Sequence, residues 1–187
     1  MKVFLNPGHH PGIDPGAVNK YKGVTEANIV RDIAKKVAMY LDYVKIEVET
    51  LQSDNLAGEN PTFDEVCAAA NDFDADLFVS IHCNSADSKL AKGTETLIYS
   101  FGTAAEKAAE CIQKQIVESI GTEDRGVKER PNLLVLKYTK MPAVLVETAF
   151  ISNADDVWFL MYEQDEIARA IARGITDYFK ACEEDGC

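Results

Sequence analysis

Short, nearly all-apolar segments alternate along the chain with segments in which apolar residues recur every third or fourth position. The first pattern is typical of buried β-strands, and the second is typical of helices with one buried face. Helices are predicted to begin near Thr25, Thr62 and Thr103, and a last helical region has its apolar face between Ile167 and Phe179. Strands are predicted at residues 1–5, 44–51, 76–82, 94–100, 133–136 and 142–147. The alternation predicts an α/β fold, with a mostly parallel, twisted, six-stranded sheet and helices on both faces.

Two segments between these elements are rich in residues that disfavour regular structure. Residues 7–23 contain three of the six prolines and four of the eleven glycines. We expect them to form a loop that shapes a site, because binding groups are often held on loops that a rigid scaffold positions. Residues 121–132 are charged and contain Gly121 and Gly126, so they also predict a loop.

Length and composition favour an ordinary globular protein. The chain has 187 residues, of which 47% are hydrophobic and 27% charged. We expect one domain at residues 1–181, followed by a polar tail at residues 182–187. We also expect the protein to be a monomer. The five cysteines include no Cys-x-x-Cys pair, which argues against a disulfide framework or a zinc ribbon. We expect them to be mostly reduced: Cys67, Cys83, Cys111, Cys182 and Cys187.

The net charge of −12 at pH 7 argues against nucleic acid as a partner, because nucleic-acid-binding proteins present basic surfaces. No apolar run reaches the ~18 to 20 residues that span a bilayer, so we expect no membrane insertion. The first residues lack a basic region followed by a hydrophobic stretch, and we expect no export signal in this sequence.

Potential metal ligands and catalytic groups lie where strands of the predicted sheet end. His9 follows the first strand, His82 ends the third, Glu147 ends the sixth, and Glu26 begins the helix after the first loop. Ligands of parallel sheets bind at the carboxyl ends of strands, and neighbouring strands are ~4.8 Å apart, so these side chains can meet. Two imidazoles and one carboxylate would form a three-ligand zinc site with a fourth position open for water, as in catalytic zinc centres.

Each of these residues also has a simpler explanation. A loop histidine such as His9 can bond to its own turn, and the helix dipole favours any acid in the first turn, where Glu26 lies. His82 and Glu147 are harder to explain in this way, because each follows an apolar run and is costly to bury without a partner or an ion. The four residues are far apart in the sequence and match no short metal-binding motif, so the prediction depends on their conjunction.

Several ordered motifs surround these residues: Asn6-Pro7-Gly8-His9, Asp14-Pro15-Gly16-Ala17, Gly23-x-x-Glu26, residues 76–84, residues 93–99, residues 141–147 and Phe150-x-x-Asn153. Together they resemble the zinc-dependent N-acetylmuramoyl-L-alanine amidases with a phosphorylase/hydrolase-like α/β fold, from Val3 to about Phe179. The resemblance implies Zn²⁺ as the cofactor, with His9, Glu26 and His82 as its ligands and Glu147 as the catalytic glutamate. It implies peptidoglycan as the substrate, cleaved between N-acetylmuramic acid and L-alanine.

The chain departs from this family's pattern in three places. The family usually has glycine after the first histidine, whereas this chain has His10. His10 could touch the substrate or face solvent, and we favour the solvent-facing position. An arginine common in the family is missing from residues 50–71. The segment from His82 to Gly93 is too short for the helix that covers the site in some members, which implies an open site.

Other polar residues near the predicted site are candidate substrate contacts. Asn84 and Glu95 lie at the ends of two strands that we expect to be neighbours. Asn84 could instead be a turn residue, and Glu95 could instead be a solvated strand residue. Cys83 should point away from the site, because side chains alternate along a strand, and we expect it in the core. One charged cluster could contact carboxylates of wall peptides, but we favour a solvated loop: Arg125, Lys128, Glu129 and Arg130.

Two other functions fit parts of the pattern. A zinc carboxypeptidase or endopeptidase acting on wall peptides would use the same chemistry, although the family resemblance argues against it. A non-catalytic peptidoglycan-binding module would keep the fold, but none of the four site residues is replaced. We expect the protein to act on the bacterial cell wall, either as a phage or prophage lysin released through a permeabilised membrane or as an exported enzyme without its leader.

Overall fold

The computed structural model describes residues 1–185. Six strands form one sheet, and a short hairpin of β2 (Val18–Asn19) and β3 (Val24–Thr25) lies inside the first loop. The sheet strands are β1 (Lys2–Pro7), β4 (Glu47–Thr50), β5 (Leu77–Asn84), β6 (Thr94–Ile98), β7 (Asp124–Glu129) and β8 (Ala143–Phe150). Their order across the sheet is β4-β1-β5-β8-β6-β7.

The direction of the strands determines which residues share an edge of the sheet. Neighbouring strands are parallel except for β6 and β8, which pair antiparallel. The start of β6 therefore lies beside the end of β8, and both lie at the edge where β1 and β5 end. The prediction of a mostly parallel six-stranded sheet is confirmed. Asn84 and Glu95 do not lie on neighbouring strands as expected, because β8 lies between β5 and β6.

Helices cover both faces of the sheet, as the alternation predicts. Alternate residues of the strands divide the core into two clusters, so that Val3 and Leu5 pack on one face and Phe4 on the other. The first face is covered by α1 (Glu26–Tyr43), α3 (Ala104–Ile120), α5 (Asp156–Tyr162) and α6 (Gln164–Asp185). The second face is covered by α2 (Val66–Asp72) and α4 (Leu134–Lys137).

The fifth strand lies in a different place from the one predicted. Residues 124–129 form β7, where a loop was expected, and residues 134–137 form α4 instead of a strand. As the edge strand of the sheet, β7 pairs only with β6 and carries charged residues, so it lacks the apolar pattern of a buried strand. The short apolar run at residues 133–136 fits a helical turn equally well, and it buries Val135 and Leu136 against the second face.

Two helix boundaries also differ from the sequence pattern. The second helix begins at Val66 with Glu65 as its N-cap, so Thr62 does not open it. The last helix extends to Asp185, so residues 182–185 of the predicted polar tail are helical, and residues 186–187 lie outside the described part of the chain. Within residues 1–185, no helix combines the length and the apolar content that crossing a membrane requires.

The cysteines are in two oxidation states. Cys67, Cys83 and Cys111 are free thiols, as expected, and Cys83 lies in the core. The expectation of a reduced thiol is wrong for Cys182, which is disulfide-bonded. Cys187 lies outside the described residues.

Candidate active site

The fold brings three potential metal ligands together at the edge of the sheet where β1 and β5 end. His9 lies in the loop after β1, Glu26 is the first residue of α1, and His82 lies on β5. One ligand atom from each lies within 4.8 Å of the others. Glu26 joins the two histidines, because its Oε2 is 3.2 Å from His9 Nε2 and its Oε1 is 3.0 Å from His82 Nδ1.

Backbone groups hold the Glu26 carboxylate in place. The amide of Ala17 donates to Oε2 at 2.9 Å, and the amide of Cys83 donates to Oε1 at 2.9 Å. Glu26 is only 3% exposed, and burial alone would raise its pKa, but hydrogen bonds with His82 and His9 hold the pKa well below its usual value. The group is therefore an anion fixed at the centre of the cluster.

Asp14 orients the first histidine. Its Oδ2 lies 2.5 Å from His9 Nδ1, which leaves Nε2 of the same ring directed at Glu26. The hydrogen bond with Glu26 raises the pKa of His9 to about 9 against the effect of burial, and Asp14 adds to this increase. His9 has a φ of 60°, in the left-handed region, which a residue with a side chain rarely adopts. The loop thus holds a strained backbone to present this imidazole.

Two glycines of the first loop make room for the histidine rings. A Cβ on Gly8 would lie 2.2 Å from His82 Cε1, and a Cβ on Gly16 would lie 2.6 Å from His9 Cδ2. Gly16 also has a φ of +63°, which favours glycine. Both positions of the family motifs are therefore occupied by glycine for a steric reason.

Gln52 supports the site, although no pattern in the sequence points to it. Its Nε2 donates to the backbone oxygens of Gly8 at 3.1 Å and of Ala27 at 2.9 Å. The side chain therefore ties the histidine loop to the first turn of α1. A single glutamine after a strand carries no recognisable signal, because its role depends on contacts between distant segments.

Glu147 lies beside this cluster on the same face of the sheet. It pairs in register with His82 on β5 and with Glu95 on β6. Its Oε2 is buried and has no hydrogen-bond partner among residues 1–185. Burial raises the pKa of Glu147 to about 7, with further increases from the charges of Glu26 and Glu95 and a decrease from His82. A carboxyl group with such a pKa can exchange protons near neutral pH.

Glu95 is buried and ion-paired, and the alternative of a solvated strand residue is wrong. The residue is 6% exposed, and its Oε2 lies 2.7 Å from Arg125 Nε and 2.6 Å from Lys128 Nζ. The guanidinium of Arg125 also lies 5.0 Å from the ring centre of Phe150. The expectation that Arg125 and Lys128 are merely solvated is therefore also wrong, because both are held by a buried carboxylate.

The two remaining candidate substrate contacts make local interactions. Asn84 Oδ1 accepts a hydrogen bond from the amide of Ser85 at 2.8 Å, which is the turn role considered as its alternative. The ring of His10 packs 5.1 Å from the ring of Phe63, and its Nδ1 is buried without a partner among the described residues. The preference for a solvent-facing His10 is therefore wrong, because Phe63 covers the ring.

A cavity of about 310 Å³ opens beside the cluster. Its lining includes His9 and His82, several apolar residues around α4, and the acidic residues Asp14, Asp54 and Glu59. Residues 85–93, which connect β5 to β6, contain bends and a turn but no helix.

Fold and site together define the class of protein. An α/β sheet that presents two histidines and a carboxylate at one edge, with a half-buried glutamate beside them, has the arrangement of a metal-dependent hydrolase. The family model of N-acetylmuramoyl-L-alanine amidase matches residues 3–177. The chain therefore belongs to the N-acetylmuramoyl-L-alanine amidase family, and the resemblance found in its sequence is confirmed.

Individual relatives agree with this assignment. The chain is 37% identical over 183 residues to the N-acetylmuramoyl-L-alanine amidase LytC of Bacillus subtilis (strain 168), covering 95% of this chain and 35% of LytC. It is 34% identical over 196 residues to the endolysin of Bacillus phage SPP1, covering 98% of this chain and 68% of the endolysin. The chain thus spans about a third of the length of LytC and about two thirds of the endolysin.

Solved structures show the same fold. The catalytic domain of CwlV, an N-acetylmuramoyl-L-alanine amidase from Bacillus (Paenibacillus) polymyxa var. colistinus, superposes with a TM-score of 0.81 and 32% identity. The match covers 96% of this chain and 98% of that domain. An N-acetylmuramoyl-L-alanine amidase from Clostridium difficile 630 superposes with a TM-score of 0.82 and 30% identity, covering 96% and 97% of the two chains.

Proposed function

We propose that this chain is a zinc-dependent amidase that hydrolyses the bond between the lactyl carbonyl of N-acetylmuramic acid and L-alanine in peptidoglycan. The observation that carries the proposal is the position of Glu147, whose buried Oε2 has no partner among residues 1–185, next to the His9, Glu26 and His82 cluster. The family assignment supports the substrate, and the cluster supports the metal.

The donor set fits a catalytic zinc ion. His9, Glu26 and His82 offer two nitrogens and a carboxylate, which is the number of protein ligands that leaves one position open. Asp14 fixes the ring orientation of His9, as the second layer of residues around a zinc site commonly does. When bound, zinc would polarise the scissile carbonyl and make a water molecule more acidic.

Glu147 moves the protons of the reaction. It would take a proton from the attacking water and later donate one to the leaving nitrogen of alanine. Its partial burial supports this double role, because desolvation raises the pKa of Glu147 to about 7. The free Oε2 of Glu147 leaves an oxygen available for water.

The test is digestion of purified peptidoglycan by the zinc-loaded protein, followed by identification of the new amino termini. We expect new amino-terminal L-alanine, loss of its release when a chelator removes the metal, and recovery when zinc is restored. New termini at other residues would indicate a wall peptidase instead. Binding to peptidoglycan without the release of any terminus would indicate a non-catalytic binding module. Either result would refute the amidase proposal.

We also infer that residues 1–181 form one catalytic domain that acts as a monomer on the bacterial cell wall. The relatives include both a phage endolysin and a bacterial amidase, so they support action on the wall by either route. A phage or prophage lysin would reach the wall through a permeabilised membrane, and an exported enzyme would need a leader. Western blotting of the culture fluid and the wall fraction of unlysed source cells distinguishes the two. Protein in these fractions would indicate an exported enzyme, and its absence from them would indicate a lysin.

A further inference from the structure

Two cations close to Glu147 are only partly neutralised. Lys128 Nζ and Arg125 Nε lie 2.6 Å and 2.7 Å from the same oxygen, Oε2 of Glu95. Two positive charges therefore share one carboxylate, in a chain whose net charge is −12. The side chains of Lys128 and Arg125 are 32% and 30% exposed, so a ligand in solvent can reach both.

This pair lies on the face of the sheet that carries Glu147. Glu95 is the register partner of Glu147, and Lys128 is the register partner of Leu97, which packs on the same face. Neighbouring strands are ~4.8 Å apart, so Glu95 lies about one strand spacing from Glu147. The Lys128 ammonium group that Glu95 holds lies at most about one further strand spacing away. An extended peptide advances ~3.3 to 3.6 Å per residue. A peptide whose scissile amide lies at Glu147 would therefore bring its second residue to Lys128.

The opposite side of the metal cluster has the opposite charge. There the cavity of about 310 Å³ is lined by Asp14, Asp54 and Glu59. Acidic groups repel a carboxylate but not the hydroxyl and amide groups of a neutral sugar. A muramoyl peptide with a neutral sugar and an anionic peptide arm therefore fits with its sugar on the acidic side and its peptide on the β7 side.

We propose that Lys128 and Arg125 form a cationic subsite for the carboxylate of the second residue in the peptide arm of the substrate. This proposal rests on the amidase function proposed above. Within residues 1–185, Lys128 has Glu95 as its only hydrogen-bond or ion-pair partner, which leaves further N–H donors for a ligand. Arg125 is held by Glu95, by the Lys92 carbonyl at 3.3 Å and by the ring of Phe150. Glu95 is a positioning residue that holds both cations.

The experiment compares two soluble N-acetylmuramoyl-L-alanyl substrates that differ only at their second residue, which carries either a free α-carboxylate or a primary carboxamide. We expect the zinc-loaded wild-type protein to prefer the carboxylate by about tenfold in kcat/KM, because hydrogen bonds to charged groups are the stronger ones. Salt should weaken this preference, because the cations are partly exposed. Lys128→Gln should reduce the ratio toward one, with Arg125 retaining a smaller part of the preference, and Lys128→Arg should restore it. Lys128→Gln keeps the Arg125–Glu95 pair, so the buried carboxylate retains a partner.

Arg130→Gln is the matched control, because Arg130 is an exposed cation just after β7 that does not contact Glu95. It should keep the wild-type ratio. Equal kcat/KM for the two substrates in the wild-type protein, or an unchanged ratio in Lys128→Gln, would overturn the subsite alone. No hydrolysis of either substrate by the wild-type protein would overturn the amidase function, and the subsite with it.

Discussion

Glu147 lies directly opposite His82 on the neighbouring parallel strand, and the pairing is in register from Phe78 and Ala143 up to this point. Immediately after His82 the register shifts. The two side chains therefore lie on the same face of the sheet, at the last regular residue pair of β5 and β8, beside the candidate active site. This single residue pair thus contains one residue suited to bind a metal and one suited to transfer protons.

This arrangement predicts that the two functions separate under mutation. Glu147→Gln should retain the zinc content and the melting temperature of the wild-type protein but lower kcat about 10²- to 10⁴-fold, because it removes proton transfer alone. His82→Ala should lose the metal as well as the activity. Zinc content by mass spectrometry and release of amino-terminal L-alanine measure both effects. Wild-type activity in Glu147→Gln would refute the assignment of this residue.

Asp14 should contribute to metal affinity without being a ligand. Its carboxylate orients His9 through Nδ1, so Asp14→Ala should weaken zinc binding by about 10- to 100-fold, as is typical for such supporting residues. Competition with a chromogenic chelator measures the affinity. Asp87→Ala is the control, because Asp87 is an exposed aspartate in the turn after β5 and should bind zinc like the wild-type protein. Equal affinities in the two variants would contradict the role of Asp14.

The sequence predicts the interior of this fold better than its edge. Strands such as β5 and β8 are buried on both faces, so they read as continuous apolar runs. The edge strand β7 is charged and half exposed, and it is defined by its pairing with β6. No local pattern can express that pairing, which is why the fifth strand is placed wrongly.

The same distinction holds at the site. His9, Glu26, His82 and Glu147 could be found because strand ends of an α/β sheet converge at one edge. The role of Gln52 and the pairing of Arg125 and Lys128 with Glu95 could not be found, because each depends on a contact between segments more than 20 residues apart in the chain. Only the folded structure brings those segments together.

Two glycines should separate metal binding from stability. In Gly8→Ala the new Cβ meets the ring of His82, so we expect weaker zinc binding with a smaller change in melting temperature. In Gly174→Ala the new Cβ would lie 2.5 Å from the backbone Cα of Ile112, where α3 packs on α6. That variant should lose stability by about 1 to 3 kcal/mol, as overpacked cores do, and should keep its zinc affinity. Calorimetric titration and thermal melts compare the two. The same profile in both variants would contradict the steric argument for Gly8.

The ion pairs of Glu95 should make part of the stability depend on pH. Burial alone would raise the pKa of Glu95, but hydrogen bonds from Lys128 and Arg125 offset this effect and hold the pKa below its ordinary value of 4.5. A lowered folded-state pKa contributes stability above the unfolded-state pKa, and the contribution is lost as pH falls through the folded-state pKa.

Glu95→Gln should therefore lower the melting temperature at neutral pH, where the wild-type carboxylate is charged. The difference should shrink as pH falls below 4.5 and through this lowered pKa, because the wild-type group then becomes neutral as well. Thermal melts of the wild-type protein and Glu95→Gln, from neutral to acidic pH, test the prediction. Glu118→Gln is the control, because Glu118 is exposed. A difference that stays constant with pH would show that packing, and not the charge of Glu95, stabilises this region.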